Sequence, residues 1–114
     1  MLLIVEGCEP VRRLLARTFR DAGFQVVTAS TLREANQLFF TEAIDFLLTC
    51  WLAPDGSAEY MVKAFLARKP ELKFLIISGT DPVLPEGWPF LAKPFRPAKI
   101  IERVLEIKLD YRLS

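Results

Sequence analysis

The chain has 114 residues, of which 52% are hydrophobic and 25% charged, so it is long enough for one domain whose core needs no disulfide or metal. The formal net charge is +1, which offers no bulk basic excess for nucleic acid and excludes a disordered, highly charged chain. Histidine is absent and the cysteines are Cys8 and Cys50, so neither a disulfide framework nor a cysteine–histidine metal site is predicted. The apolar start, residues 1–5, is too short for a signal peptide or a membrane span, and a cytoplasmic location is expected.

The first third of the chain is predicted to form a strand, a helix and a second strand. Leu2–Val5 is a continuous apolar run, which is typical of a parallel strand buried on both faces. Pro10 suits the first turn of a helix, and Gly23 is a natural stop just past its end. Phe24–Ala29 follows as a second strand. The apolar stripe of the helix consists of Val11, Leu14, Leu15, Phe19 and Ala22.

The middle of the chain repeats this alternation. Thr31 and Glu34 form a capping box before a second helix, and Asp45–Cys50 is predicted to be a buried third strand. The Pro-Asp-Gly sequence at 54–56 breaks the chain, and Ser57 can cap a third helix that runs to about residue 68.

The last third holds two strands and one helix. Lys73–Ser78 predicts a fourth strand and Phe90–Ala92 a brief fifth. The segment between them, residues 79–89, contains three prolines, so the fourth helix is predicted to be shortened or lost. Pro97 opens a last helix. That helix is predicted to turn Ile100, Ile101, Val104 and Leu105 inward, and Lys99, Glu102, Arg103 and Glu106 outward.

Five alternations of strand and helix predict an α/β fold, a three-layer sandwich with a parallel sheet between helices. Residues 1–114 are expected to form one domain, since the sequence shows no linker, repeat or low-complexity segment. In such sheets, ligands bind beyond the carboxyl ends of the strands. The residues predicted at those ends are Glu6, Gly7, Cys50, Ser78 and Lys93.

These positions resemble the receiver domain of bacterial response regulators, the CheY-like domain, over essentially the whole chain. The family has an acidic pair after the first strand, a phosphoacceptor aspartate ending the third, a Ser/Thr ending the fourth and a Lys-Pro after the fifth. The resemblance implies a flavodoxin-like sheet of strand order 2-1-3-4-5. It also implies a role in a two-component phosphorelay, with a histidine kinase or a downstream protein as partner. The matching positions are Glu6 with Gly7, Cys50, Ser78, Lys93 with Pro94, Pro54 at the family's loop proline and Phe90 at its aromatic switch position.

The same resemblance implies that the phosphorylation site is degenerate. The family holds Mg²⁺ with the acidic pair, the acceptor carboxylate and a backbone carbonyl, and here only Glu6 and the Leu52 carbonyl remain. Gly7 offers no side chain, and Cys50 offers a soft sulfur that Mg²⁺ disfavours. We therefore expect a pseudo-receiver without catalytic residues, without a cofactor and with weak or absent Mg²⁺ binding. It is expected to act through protein–protein contacts independently of phosphorylation.

The other site residues admit structural interpretations. Lys93, without an acceptor carboxylate nearby, is expected to pair with Glu6 as a structural ion pair. The Ser78 hydroxyl is expected to bond to backbone or water, and Phe90 to adopt a buried core rotamer.

Three alternatives use other chemistry. A thiol-based redox sensor would use Cys50, with or without Cys8, although a disulfide needs Cα atoms about 4.4–6.8 Å apart and the cytoplasm disfavours it. Phosphorylation of Cys50 itself would need a low-pKa thiolate, whereas a lone cysteine usually packs as a small apolar residue. An enzyme of the same α/β class is not expected, because the strand ends offer no histidine, second carboxylate or glycine-rich phosphate loop.

Two surfaces are candidates for partners. The last helix with its tail, which holds Leu109, Tyr111 and Leu113, suggests a docking face or a homodimer. Trp51 and Leu52 lie beside the former acceptor position, where they could cap it or contact a partner. The proline-rich loop in place of the fourth helix argues against the phosphorylation-driven dimer usual in the family. Since no output domain follows the last helix, a free-standing protein is expected.

Overall fold

A five-stranded parallel sheet lies at the centre of the computed structural model, which describes residues 1–109. The strands are β1 (Leu2–Val5), β2 (Val26–Ala29), β3 (Phe46–Cys50), β4 (Leu52–Ala53), β5 (Gly56–Ser57), β6 (Lys73–Ser78) and β7 (Phe90–Ala92). The sheet order is β2-β1-β3-β6-β7, and β4 pairs with β5 in a separate antiparallel hairpin. With the hairpin set aside, this is the predicted order 2-1-3-4-5.

Helices cover both faces of this sheet. Within residues 1–109 they are α1 (Glu9–Asp21), α2 (Leu32–Thr41), α3 (Glu59–Arg68) and α4 (Pro97–Lys108). Alternate residues of β1 point to opposite faces, so Leu3 packs in the core beneath α2 and α3, whereas Ile4 packs beneath α1 and α4. The predicted three-layer α/β fold is therefore confirmed. No helix of the described range has the length and apolar character that a membrane crossing demands.

The segment between β6 and β7 is a loop over residues 79–89, which confirms the predicted loss of a helix there. Its prolines lack the N–H group that helical hydrogen bonding uses. Trp88 anchors the loop, because its ring meets Phe74 edge-on at a centroid distance of 5.2 Å and Trp51 at 6.4 Å. The loop is thus held against the α2 and α3 side of the core.

One strand begins later than predicted. β2 starts at Val26 rather than at Phe24, and the other four strands of the sheet agree with their predictions to within one residue. Gly23, with φ +92°, turns the chain after α1. Phe24 then packs edge-on against Phe19, with ring centroids 5.1 Å apart, instead of entering the sheet.

Side-chain caps fix the start of α2. The Thr31 hydroxyl accepts from the Glu34 N–H at 3.1 Å, as the predicted capping box requires, but the Glu34 carboxylate accepts from the Ser30 N–H at 2.7 Å. Asp55, in the hairpin turn, accepts from the first two N–H groups of the helix at 2.9 and 3.1 Å. The bond from Leu32 is the main cause that lowers the pKa of the Asp55 carboxyl. The hairpin is therefore tied to α2.

The start of α3 differs from its prediction by one residue. The N-cap residue is Ala58 rather than Ser57, because Ser57 pairs with Leu52 in the hairpin. Ala58 has no side chain that can cap, and the Ser57 hydroxyl accepts from the Glu59 N–H at 3.3 Å instead.

The inward face of α4 is narrower than predicted. Ile100 and Val104, one turn apart, are fully buried. Leu105, predicted to face inward, is 41% exposed, because it lies next to Val104 in sequence and therefore about 100° further round the helix. Of the predicted apolar tail, Leu109 is exposed, and Tyr111 and Leu113 lie outside the described residues.

Candidate functional site

The carboxyl ends of four strands bring most of the predicted site residues together. Glu6 follows β1, Cys50 ends β3, Ser78 ends β6 and Lys93 follows β7. Cys50, Ser78 and Lys93 line one cavity of about 190 Å³, with Leu52 on the same wall. Glu6 reaches this group through a direct contact with Lys93. Of the predicted site residues, Glu6, Gly7 and Phe90 are not on the cavity wall.

The buried carboxylate of Glu6 is fully engaged. Its Oε1 accepts from Lys93 Nζ at 2.6 Å, and its Oε2 accepts from the Cys8 N–H at 2.9 Å. The Glu6 side chain is 4% exposed and that of Lys93 is 26% exposed. The predicted ion pair is therefore present, and its hydrogen bonds offset the desolvation of the carboxylate.

The acceptor position is occupied by a buried thiol. Cys50 is 3% exposed and belongs to the core cluster under α1 and α4. Burial raises the pKa of the Cys50 thiol and the charge of Glu6 raises it further, which outweighs the opposite effects of the Gly7 backbone and of Lys93. A raised pKa lowers the thiolate fraction at neutral pH, and the thiolate is the reactive form. Both cysteines are free thiols in the structure.

We expect the two thiols to differ in alkylation at neutral pH. Cys8 is exposed and should react with iodoacetamide in the native protein, whereas Cys50 should react only after denaturation. Intact mass before and after guanidinium treatment counts the adducts, and Cys8→Ser is the control that should show none in the native state. Native labelling of Cys50 as fast as Cys8 would contradict the burial argument and favour the redox sensor.

Gly7, at the second position of the family's acidic pair, lies against the ring of Pro54. A Cβ atom placed on Gly7 would lie 2.7 Å from Pro54 Cδ and 3.0 Å from Pro54 Cγ. Real side chains essentially never approach so closely, so any larger residue at position 7 must displace the proline. The position therefore lacks a carboxylate, and a side chain placed there would require Pro54 to shift.

The hydroxyl at the end of β6 has local partners. Ser78 Oγ accepts from the Thr80 N–H at 3.1 Å and lies 3.1 Å from Thr80 Oγ1, in agreement with the predicted bond to backbone. Thr80, which also lines the cavity, was not singled out by sequence, although a Ser-x-Thr turn after a strand is a recognisable signal. Phe90 is half-buried and packs on the core cluster under α2 and α3, so it is less buried than predicted.

The two apolar residues after the acceptor position have different roles. Trp51 is 9% exposed, its ring packs on Trp88, and its backbone N–H donates to the Ile77 carbonyl at 2.9 Å, so it belongs to the core. Leu52 is 64% exposed at the start of the hairpin. Trp51 and Leu52 both line the cavity at the former acceptor position, in line with the predicted cap, and Leu52 alone of the two is well exposed.

These contacts do not fit a Mg²⁺ site. The one carboxylate is held by Lys93 and a backbone N–H, the second acidic position is filled by Pro54, and the acceptor is a sulfur atom. Mg²⁺ demands several oxygen ligands in a near-ideal octahedron. Nowhere in residues 1–109 do three His, Cys, Asp or Glu side chains come together as a metal site would require.

The fold resembles that of many solved proteins, although no model of a known protein family and no curated protein matches the sequence. A response regulator receiver domain protein (CheY-like) from Methanospirillum hungatei JF-1 is 22% identical with a TM-score of 0.87, over 96% of this chain and 92% of that one. The receiver domain of the hybrid histidine kinase CckA is 27% identical with a TM-score of 0.81, over 92% and 95%. A response regulator from Burkholderia pseudomallei, solved with a phosphorylated aspartic acid, is 20% identical with a TM-score of 0.80, over 98% and 72%. The chain therefore has the fold of the receiver domains of two-component response regulators.

Proposed function

We propose that this chain is a pseudo-receiver: a module of a two-component phosphorelay that works through protein contacts and is not phosphorylated by aspartate and Mg²⁺ chemistry. The observation that carries the proposal is the ion pair between Glu6 and Lys93, 2.6 Å apart, beside the buried thiol of Cys50. In this pocket the ammonium group of Lys93 and the carboxylate of Glu6 neutralise each other. No oxygen nucleophile remains at the position where the resemblance places the acceptor.

The chemistry of phosphoryl transfer supports this proposal. An acceptor carboxylate attacks phosphorus while the bond to the donor breaks, and Mg²⁺ neutralises the charge of the phosphoryl oxygens. A thiol could replace the carboxylate only as a thiolate, and both burial and Glu6 raise the pKa of Cys50. Lys93 already pairs with the buried Glu6 carboxylate, so any phosphoryl group in the pocket would have to share its ammonium with that anion.

The partner class follows from the fold by analogy. The CckA receiver belongs to a hybrid histidine kinase, so a kinase or a downstream protein of such a pathway is the partner we propose, with a homodimer as a further arrangement. We place the module in the cytoplasm, without enzymatic activity or a cofactor of its own.

Incubation with acetyl phosphate and Mg²⁺, followed by intact mass measurement, tests the proposal. We expect no added phosphoryl mass, because the pocket lacks an acceptor oxygen and the ligands for the metal. A receiver domain with an intact acceptor aspartate, treated in parallel, is the positive control. A phosphoryl adduct that depends on Mg²⁺ would contradict the proposal. The position of that adduct, at Cys50 or at another residue, would identify the true acceptor.

A further inference from the structure

A groove between α1 and the edge strand β2 shares no lining residue with the pocket at the strand ends. Its volume is about 340 Å³, and Asp21 and Thr28 form part of its wall. We call it the arginine groove after the four α1 residues that line it: Arg12, Arg13, Arg17 and Arg20. The proposed function, argued from the pocket at the strand ends, does not use this surface.

The arginine groove concentrates positive charge. Its four arginines face a single aspartate, so its wall carries three net positive charges, whereas the whole chain carries +1. Two of the arginines form ion pairs: Arg13 lies 3.3 Å from Glu9, and Arg17 lies 3.8 Å from Asp21. The side chains of both pairs are more than half exposed. Exposed pairs of this kind are weak, so Arg13 and Arg17 are available to the carboxylates of a ligand. Arg12 and Arg20 donate to the carbonyls of Glu6 and Val26 at 2.9 and 3.2 Å.

The arginine groove reaches the outer edge of the sheet at Thr28. β2 pairs with β1 on one side only, through the carbonyls of Gln25 and Ala29 among others. Because the backbone groups of successive residues in a strand point to opposite sides, those of Val26 and Thr28 face outward. Arg20 donates to the Val26 carbonyl at 3.2 Å, in agreement with this direction. An open strand edge is a template for another strand.

The spacing of the arginines matches an extended chain. Arg13 and Arg17 are four residues apart, which is about 6 Å along a helix. Alternate side chains of a β-strand share one face and are about 6.6 Å apart. A strand laid along β2 could therefore present one carboxylate to each of these two arginines while its backbone meets that of Thr28.

We propose that the arginine groove binds an extended acidic segment of a partner protein, which adds as a strand to the outer edge of β2 while its carboxylates pair with the arginines. A peptide is favoured over nucleic acid because only a peptide supplies the N–H and C=O groups that complete a strand edge. The proposal does not depend on what happens at Cys50, so either can fail without the other.

Binding of a fluorescein-labelled eight-residue peptide of alternating glutamate and threonine, measured by anisotropy with the full chain, tests the proposal. Replacing Arg13 and Arg17 together by alanine should weaken binding about fivefold or more, since the two charge pairs matched to the strand spacing are lost. The matched control replaces Arg33 and Arg68, exposed arginines on the other face of the sheet, and keeps the same net charge. It should bind as the native chain does.

Amide hydrogen exchange supplies a second measurement. Exchange at the Thr28 N–H should slow when the acidic peptide is bound, because that group then donates to the added strand. Three results would overturn the proposal: equal weakening in the control variant, binding of single-stranded DNA as tight as that of the peptide, or unchanged exchange at Thr28 with the peptide bound. The first two would indicate general polyanion attraction, and the third would indicate contact without strand addition.

Discussion

Replacing Lys93 with methionine is expected to lower the free energy of unfolding by about 3 kcal/mol. The substitution keeps the apolar stem but removes the ammonium group, so the Glu6 carboxylate, 4% exposed, is left without its cation. A buried charge without a partner destabilises the protein by more than the intact ion pair stabilises it. The reason is that the partner had offset the cost of removing the charge from water. The value lies at the lower end of the range for buried pairs since Lys93 is 26% exposed. Urea denaturation at neutral pH measures it.

The exposed pair of Lys63 and Glu59 provides a matched control. Its N–O distance of 2.7 Å is close to the 2.6 Å of the buried pair, but its side chains are 52% and 33% exposed. Lys63→Met should therefore cost less than about 1 kcal/mol. Equal losses in the two lysine variants would mean that burial is not what makes the site pair important.

A double-mutant cycle separates the pair from its surroundings. Glu6→Gln should cost less than Lys93→Met, because the amide oxygen can still accept from the Cys8 N–H and the freed ammonium can turn toward water. The variant with both substitutions should be more stable than Lys93→Met alone, with a coupling energy of about 1–3 kcal/mol. Strictly additive losses would contradict a direct interaction.

The strands and the parallel sheet could be predicted from sequence because their signals are local. Runs such as Leu2–Val5 are apolar throughout, which suits strands covered on both faces. Three prolines spread over residues 79–89 leave no stretch long enough for a regular helix. The pairing of Glu6 with Lys93 was also predictable, since both follow strands of one sheet edge and each needs an opposite charge.

The contacts that sequence did not reveal join segments far apart in the chain. Pro54 over Gly7, Asp55 on the start of α2, and Trp88 on Trp51 depend on how the hairpin and the loop fold back. No periodicity or turn signal at one of these residues names its partner. Similarly, the exposure of Leu105 follows from how α4 is rotated on the sheet, which a stripe of apolar residues does not specify to within one residue.

Gly7→Asp with Cys50→Asp is expected to leave the protein unphosphorylated until Pro54 is also replaced. The new Cβ at position 7 would lie 2.7 Å from Pro54 Cδ, which is part of a rigid ring bonded to the backbone nitrogen and cannot rotate away. The carboxylate would thus be pushed from the metal position, and Mg²⁺ tolerates little departure from its octahedron. Pro54→Ala removes the ring and gives the side chain its room.

The steric part of this argument can be measured without phosphorylation. Gly7→Ala in the native chain should lower the free energy of unfolding by about 1–3 kcal/mol, the usual cost of forcing a group into a filled site. The same change in a Pro54→Ala background should cost clearly less, because the contact is gone. An equal cost in both backgrounds would show that Pro54 yields freely to a side chain at position 7.

The phosphorylation part of the argument is tested with acetyl phosphate, with and without Mg²⁺, and the product is read by intact mass. Three variants are compared: Cys50→Asp alone, Cys50→Asp with Gly7→Asp, and these two together with Pro54→Ala. We expect a Mg²⁺-dependent phosphoryl adduct in the triple variant alone, because it alone combines an acceptor carboxylate with an unobstructed acidic pair. The triple variant without Mg²⁺ and Pro54→Ala alone are the controls. Efficient labelling of the single variant would refute the ligand argument. Equal labelling of the double and triple variants would instead refute the role of Pro54 and leave the missing carboxylates as the whole reason for the loss.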